Sequence, residues 1–437
     1  MSVSVRVPRA RLAWLSLAVL LVAAIAGCTL KSGGYNTVSP PKMRFFNAGM
    51  DIGAVDVTFG NVLIAAGLNF ETFTPYATTQ PGAQPITLNL SGQSSTFIEA
   101  TQSFENGDRF SYVLYGRASA PAQIIINDNV ELPGGGKSKV RLINAATEKG
   151  PLDLYVTNPG VDIAQVAPDI SGVALGSASD FVEMDAGSRQ LRITPQGSKT
   201  ILYDSGQVAL SERNGYGLVA YARGSPDLVN VGLLTMDTLG SGALLPSLLA
   251  NVRLVNATPA TPIVDFLIDG NVHIGGVPYG GNSNYQSEIA GSHSISFQPT
   301  GAPGTTLLTG TLTFPPGGDT TVVLLGAAGA QQSFVLQDLN FLPTTPTNGR
   351  VRVVNLRSDS AAFNTFVNGA LTVGTLGPGL PSLYFELPAA TYTFTFVDPT
   401  TSATQLEQQV AVAAGRTYTV FVMGTTGALQ GPVTTDR

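Results

Sequence analysis

Residues 252–271 read VRLVNATPATPIVDFLIDGN, and variants of this stretch recur three more times. They are MRFFNAGMDIGAVDVTFGN at 43–61, VRLINAATEKGPLDLYVTN at 140–158 and VRVVNLRSDSAAFNTFVNG at 351–369. Each opens with Arg, two apolar residues and Asn: Arg44/Asn47, Arg141/Asn144, Arg253/Asn256 and Arg352/Asn355. Nine residues past each Asn stands an acid or amide, namely Asp56, Asp153, Asp265 and Asn364. A tight turn follows at Gly82, Gly187, Gly291 and Ala390. Glycines nine apart then bracket a strand: Gly107/Gly116, Gly215/Gly224, Gly317/Gly326 and Gly415/Gly424. Four markers in one order define an internal repeat of roughly 90–110 residues, one whole domain per copy rather than a short solenoid unit.

Parity shows what the copies are made of. Val55/Val57/Phe59, Leu152/Leu154/Val156 and Val264/Phe266/Ile268 alternate with polar residues, the period of a strand with one buried face. Thr, Val, Tyr and Phe are frequent, and Gly, Pro, Asn or Asp clusters punctuate the chain. That pattern predicts an all-β protein: four tandem antiparallel β-sandwich domains with about seven short strands each. No amphipathic helix is evident after the N-terminal leader.

The chain has 437 residues, 43% of them apolar and only 12% charged, which is the composition of a globular and weakly charged protein. No Lys/Arg cluster forms a basic stripe, so nucleic acid is not an expected partner. The one cysteine, Cys28, excludes an intrachain disulfide. It closes a leader in which Arg6, Arg9 and Arg11 precede an apolar run and the tetrapeptide Ile-Ala-Gly-Cys. This layout predicts a secretory signal, with an apolar run too short for a transmembrane span. Loss of those three arginines and of no acid takes the formal charge from −6 to about −9. The Ala-Gly-Cys ending resembles the lipobox of bacterial lipoproteins, which implies lipidation of Cys28 and a membrane contact through the N-terminal lipid. Thr29 after the cysteine implies the outer membrane.

The expected organisation is a signal peptide over 1–27, a lipidated cysteine and tether over 28–41, and sandwiches over 42–130, 139–239, 250–342 and 349–437. The linker ELPGGGKS at 131–138 reads as flexible and PTTPTNG at 343–349 as stiffer, so the domains are expected to form an elongated rod. The pattern VRLVNATP, VDFLIDG, an Ala-Gly turn and GRTYTVFVMG resembles the domain-of-unknown-function family 4397. The resemblance covers nearly all of the chain after the leader. It implies an immunoglobulin-like sandwich, often in tandem, in secreted and lipid-anchored bacterial proteins, and brings no catalytic residues with it.

The repeated Arg, Asn and Asp are the obvious candidates for chemistry. Arg253 and Asn256 differ by an odd number and so point to opposite faces of their strand. Asn256 shares the parity of Val252 and Leu254 and is expected to bond the loop backbone where the strand ends. An ion pair between Asp265 and the strand Arg is one option. Domain four carries Asn364 there, so the fold does not demand a carboxylate. All twelve residues are therefore read as structural. His273 and His293 lack zinc-ligand spacing, and no G-x-S-x-G elbow is present. The run Gly134-Gly135-Gly136-Lys137-Ser138 lacks the leading glycine of a phosphate loop. Asn127-Asp128-Asn129 resembles part of a calcium-binding linker, but its leading Asp is missing, and a polar turn is the plainer reading. Tyr155, Tyr221 and Phe421 have outward parity, fit either for a sugar-stacking platform or for packing between domains.

No catalytic residue, cofactor or metal is expected. The predicted function is non-enzymatic: a lipid-anchored envelope protein presenting tandem sandwiches to a glycan, wall polymer or protein. A structural spacer is the alternative, and an unrecognised hydrolase a more distant one.

Overall fold

The opening strand of each repeat lies at the centre of a sheet, not at its rim. In the computed structural model these strands are Lys42–Asn47, Lys137–Ala145, Leu249–Ala257 and Asn348–Arg357. The structure describes residues 39–223, 228–237, 239–259, 261 and 263–437; the leader, Cys28 and Gly224 lie outside the described residues.

Each opening strand pairs in parallel with the glycine-bracketed strand of its own copy: Arg109–Arg117, Asn214–Ala222, Asp319–Leu325 or Thr417–Thr425. It pairs antiparallel on its other side with a short edge segment. One parallel pair per copy thus interrupts otherwise antiparallel sheets. The second sheet of each copy is wholly antiparallel and four-stranded, with the second-motif strand inside it. Those strands are Val55–Phe59, Leu152–Thr157, Ile263–Ile268 and Phe363–Val367. Two facing sheets enclose one apolar core in each copy, so the chain is a tandem of four β-sandwiches. The described helical content is a single 3₁₀ turn, Ile163–Gln165, in the long loop of the second copy.

Burial separates the two kinds of strand. Val55–Phe59 and Phe363–Val367 alternate strictly between buried and half-buried residues, as one-sided strands do. The opening strands are buried almost continuously on both faces. One face fills the copy's own core, with Val252 and Leu254 in the third copy. The other meets a neighbouring copy. Phe46, Val113 and Ile124 of the first copy pack on Ile143, Val219 and Tyr221 of the second. Val255, Val323 and Leu336 of the third pack on Val354, Leu356 and Phe421 of the fourth.

Two further junctions join these pairs. Asn230 of the second copy donates to the Gly317 carbonyl of the third and accepts from the backbone N–H of Ser247. At the other end, Asp51 of the first copy accepts from the Arg437 guanidinium at 3.0 Å and from the Leu342 N–H at 2.7 Å. The first and fourth copies therefore touch, and the expected rod is replaced by a closed ring of four sandwiches. The linkers are short enough to fold each copy back on its neighbour, and the buried outer faces supply the reason to do so. Copy boundaries shift accordingly: the strand Gly242–Leu245 still belongs to the second copy's sheet, past the expected limit at 239.

The bracketing glycine that ends each parallel-paired strand is fixed by backbone geometry. Gly116, Gly326 and Gly424 have φ of 95°, 117° and 103°, and a Cβ there would lie 2.6, 2.5 and 2.4 Å from a carbonyl oxygen across the hairpin. The substitution Gly326→Ala is expected to lower stability by about 1–3 kcal/mol, read as a reduced urea midpoint with unchanged ellipticity at low denaturant.

Candidate functional site

The three recurring polar residues have three different tasks. The Asn side chains are fully buried and make the same bonds in every copy. Asn47 Nδ2 donates to the Gly53 and Leu68 carbonyls while its Oδ1 accepts from the Gly49 N–H, each at 3.0 Å. Asn144, Asn256 and Asn355 repeat this with Gly150 and Val173, Thr261 and Val277, and Ala361 and Leu376. One amide thus holds the loop after the opening strand and the edge strand of the opposite sheet.

The acid of the second motif belongs to the other sheet. Asp56 accepts from the Gly67 N–H, and Asp265 from the Gly276 N–H and the Thr300 hydroxyl. Asp153 accepts from the Gly172 and Gly197 N–H groups. In the first three copies these carboxylates cap a bulge in the neighbouring edge strand. The Gly67 N–H, then the Ser91 hydroxyl, hold the Asp56 carboxyl below its ordinary range. Asn364, in the corresponding place, accepts from the Thr375 hydroxyl. The pairing of Asp265 with Arg253 does not form, because parity sends Arg253 out of the sandwich and into the junction.

Arg253 and Arg352 face each other across the junction of the third and fourth copies. Arg253 Nε donates to the Thr321 hydroxyl at 2.7 Å, and its Nη1 meets Asp436 Oδ1 of the fourth copy at 2.7 Å. Arg352 Nε donates to the Thr419 hydroxyl at 2.8 Å, and its Nη2 meets Asp338 of the third copy. Each Arg takes the other copy's Asp, the reciprocity of an isologous interface. Asp338 also accepts from the Tyr285 hydroxyl at 2.6 Å. Burial alone would raise the Asp338 carboxyl, but Arg253 and then Arg352 hold it below its ordinary value. Asp436 and Asp338 in turn raise the Arg253 guanidinium against the opposing effect of burial.

The junction of the first and second copies is unbalanced. Asp128 lies between Arg44 at 3.3 Å and Arg141 at 3.0 Å and accepts from Ser111 and Tyr76. The reciprocal acid is missing: Met236 stands where the other copies have Asp, and Gly217 where they have Ser or Thr. Arg44 donates to the Thr235 carbonyl, as Arg352 does to Gln337 and Arg141 to Asn127, and additionally to the Ser241 carbonyl. Burial, only partly opposed by Asp128, leaves the Arg141 guanidinium below its ordinary value. Asp128 is therefore a buried counter-ion, and its neighbours Asn127 and Asn129 form the polar turn.

Two parts of this junction were not found in the sequence. Asp128, Asp338 and Asp436 follow their copy's Arg by eighty-four or eighty-five residues. An aromatic residue covers each guanidinium: Tyr76, Phe181, Tyr285 and Tyr384. It follows the Arg by thirty-two residues in three copies and by forty in the second, whose loop is longer. Both spacings were available as signals.

Other candidates are occupied. Tyr221 and Phe421 are buried at the two junctions, and Tyr155 lies beneath Lys199, which also donates to the carbonyls of the long loop. His293 pairs with Asp269 at 2.7 Å and His273 approaches Glu288 at 3.3 Å.

A cleft of about 470 Å³ lies at the seam between the first and fourth copies. Asn69 and Phe70 line it from the first copy, Phe341 from the connector, and Arg350, Tyr384 and Glu386 from the fourth. Phe70 meets Phe341 edge to face at 5.8 Å, and the Arg350 guanidinium lies 4.1 Å from the Tyr384 ring centre. Arg350 Nη1 donates to the Leu339 and Phe341 carbonyls. Glu386 is bound by Thr344, Thr345 and Asn348 of the connector.

These features define a class: a tandem array of β-sandwiches locked in pairs by buried arginines, with an open cleft where the array closes. The profile of a family described as a domain of unknown function, DUF4397, matches residues 41–155, 250–365 and 349–437, and the chain belongs to that family. Among curated proteins, none matches the chain. Solved structures similar to it include the TIE protein of Bacillus anthracis, at 9% identity and a TM-score of 0.16. That likeness covers 85% of this chain, which spans only 65% of that one. Another is a streptococcal virulence factor titled for alpha-glucan binding, at 7% identity and TM-score 0.16, covering 41% of this chain and 93% of that one. A third is a family 26 carbohydrate-binding module of Eubacterium rectale Amy13K with maltoheptaose, at 11% and 0.17, covering 45% and 96%. Likenesses this loose carry no argument about function or ligand.

The acid at the junction is expected to matter more than the acid in the second sheet. Asp338→Ala leaves Arg253 and Arg352 under-compensated and is expected to cost about 3–5 kcal/mol, whereas Asp265→Asn should cost well under half as much. The Asp338 carboxyl is depressed on folding. Its stabilisation is therefore complete above the unfolded value near about 3.9 and is lost as pH falls through the lower folded value. Thermal unfolding of both variants between neutral pH and pH 2 checks the order and the sign.

Proposed function

We propose that this protein is a non-enzymatic, lipid-anchored component of the bacterial cell envelope that binds an envelope or surface ligand in the cleft between its first and fourth sandwiches. The cleft carries the reading. It is concave and within the roughly 300–1,000 Å³ of ligand sites, and it combines ring faces with a few polar groups. Part of it comes from positions the copies do not share: the places equivalent to Phe70 hold Leu175, Tyr279 and Pro378, whereas Tyr384 matches Tyr76 and Tyr285. Anchoring at Cys28, on the outer membrane, rests on the leader sequence.

A structural spacer is the second reading, and the two arginine-locked junctions favour it because they make the array rigid. Closure of the ring weighs the other way, since chain length then adds little reach.

Cys28→Ser is expected to move the protein from the membrane pellet to the soluble fraction, with the acylated N-terminal peptide lost from its mass spectrum. Purified protein should pellet saturably with one of the wall, outer-membrane or polysaccharide fractions of the source cell, and Phe341→Ala should weaken this while thermal unfolding stays cooperative. Pelleting with none would turn the assignment to the spacer.

A further inference from the structure

We infer that the cleft at the seam takes a neutral saccharide unit, and that the bound sugar holds the ring of sandwiches shut. This rests on the binding reading above and adds the ligand class and its effect on the protein. The lining sets one cation, Arg350, against one anion, Glu386, and so offers no net charge to an ionic ligand. Beside them stand an amide at Asn69 and flat apolar surface at Phe70 and Phe341. A pyranose matches that set, with hydroxyls that both donate and accept around a rim and C–H groups on its faces.

The donors are in place. Arg350 spends only Nη1 on backbone carbonyls, and its Nε and Nη2 make no hydrogen bond among the described residues. The Asn69 side chain, exposed at the cleft mouth, likewise makes none. Connector bonds occupy Glu386, so it serves to shape the wall and to disfavour an anionic guest.

The cleft walls come from opposite ends of the folded array. Among the described residues, no apolar cluster like those of the two arginine junctions spans the seam that joins them; Asp51 is its buried clasp, with the Phe70–Phe341 contact beside it. A guest touching Asn69 and Phe70 on one side and Phe341 and Arg350 on the other gains its full contacts only when the seam is closed. Binding must then shift the seam toward closure by linkage.

The test titrates the purified full-length protein, in detergent, with glucan, mannan and N-acetylglucosamine tetramers by calorimetry, with oligogalacturonate as the charged comparison. Hydrogen exchange is followed at the Leu342 amide. Saturable binding of a neutral tetramer is expected, weakened about tenfold by Asn69→Ala at unchanged melting temperature, with slower exchange at Leu342 on saturation. Preference for oligogalacturonate would overturn the ligand class. Binding indifferent to both Asn69→Ala and Phe341→Ala would overturn the site, and unaltered exchange at saturation the coupling. Silence with every sugar while an envelope fraction still pellets the protein would overturn this inference alone; silence in both assays would overturn the binding reading as well.

Discussion

A guanidinium taken out of water must find acceptors, because it stays charged at any ordinary pH and its desolvation is costly. Arg44, Arg141, Arg253 and Arg352 are all buried in this protein, and all project from the outer face of a sandwich. Each completes its bonds with groups of the neighbouring copy. In the third and fourth copies the solution is reciprocal, each arginine taking the partner's Asp under an aromatic lid. The surrounding apolar residues exclude water and strengthen the pairing. The copy is therefore the repeat of the sequence, while the pair is the unit that balances its charges.

The first and second copies show what happens when one member of the set is lost. With Met236 in place of the acid, one carboxylate serves two guanidinium groups, and Arg44 receives from the second copy only the carbonyls of Thr235 and Ser241 and the Met236 sulfur among the described residues. The same copy carries the longer loop and has Gly217 on the bracketed strand. These departures fall in the part of the chain, beyond residue 155 and before 250, that the family profile does not match. Relaxation of the motif and asymmetry of the junction are thus two views of one change.

Most of the architecture was legible because it is written in local spacing. The four markers delimit the copies, and parity alone separates Asn256, inside its sandwich, from Arg253, outside it. Parity says which face a residue takes but not what covers that face. Val255 and Ala257 share the parity of Arg253, as Val354 and Leu356 share that of Arg352; an apolar outer face of this kind needs a partner rather than solvent. The same reasoning turns Tyr221 and Phe421 from an exposed platform into junction core. The ring was beyond reach, since linker composition fixes stiffness and not direction, and the Asp51–Arg437 contact joins residues 386 apart.

That division between repeated and unrepeated positions also bears on where a ligand would sit. The arginine junctions are made from strand faces that every copy reproduces, so they fit one another and fill. The closing seam adds loops and a connector to Arg350 of the opening strand and to Tyr384, and it is left with open volume. A tandem array whose repeats secure the fold leaves such non-equivalent loops free to change without cost to the sheets. Phe70 of a loop, Phe341 of the connector and Arg350 of an opening strand converge from distant stretches of chain on one cleft.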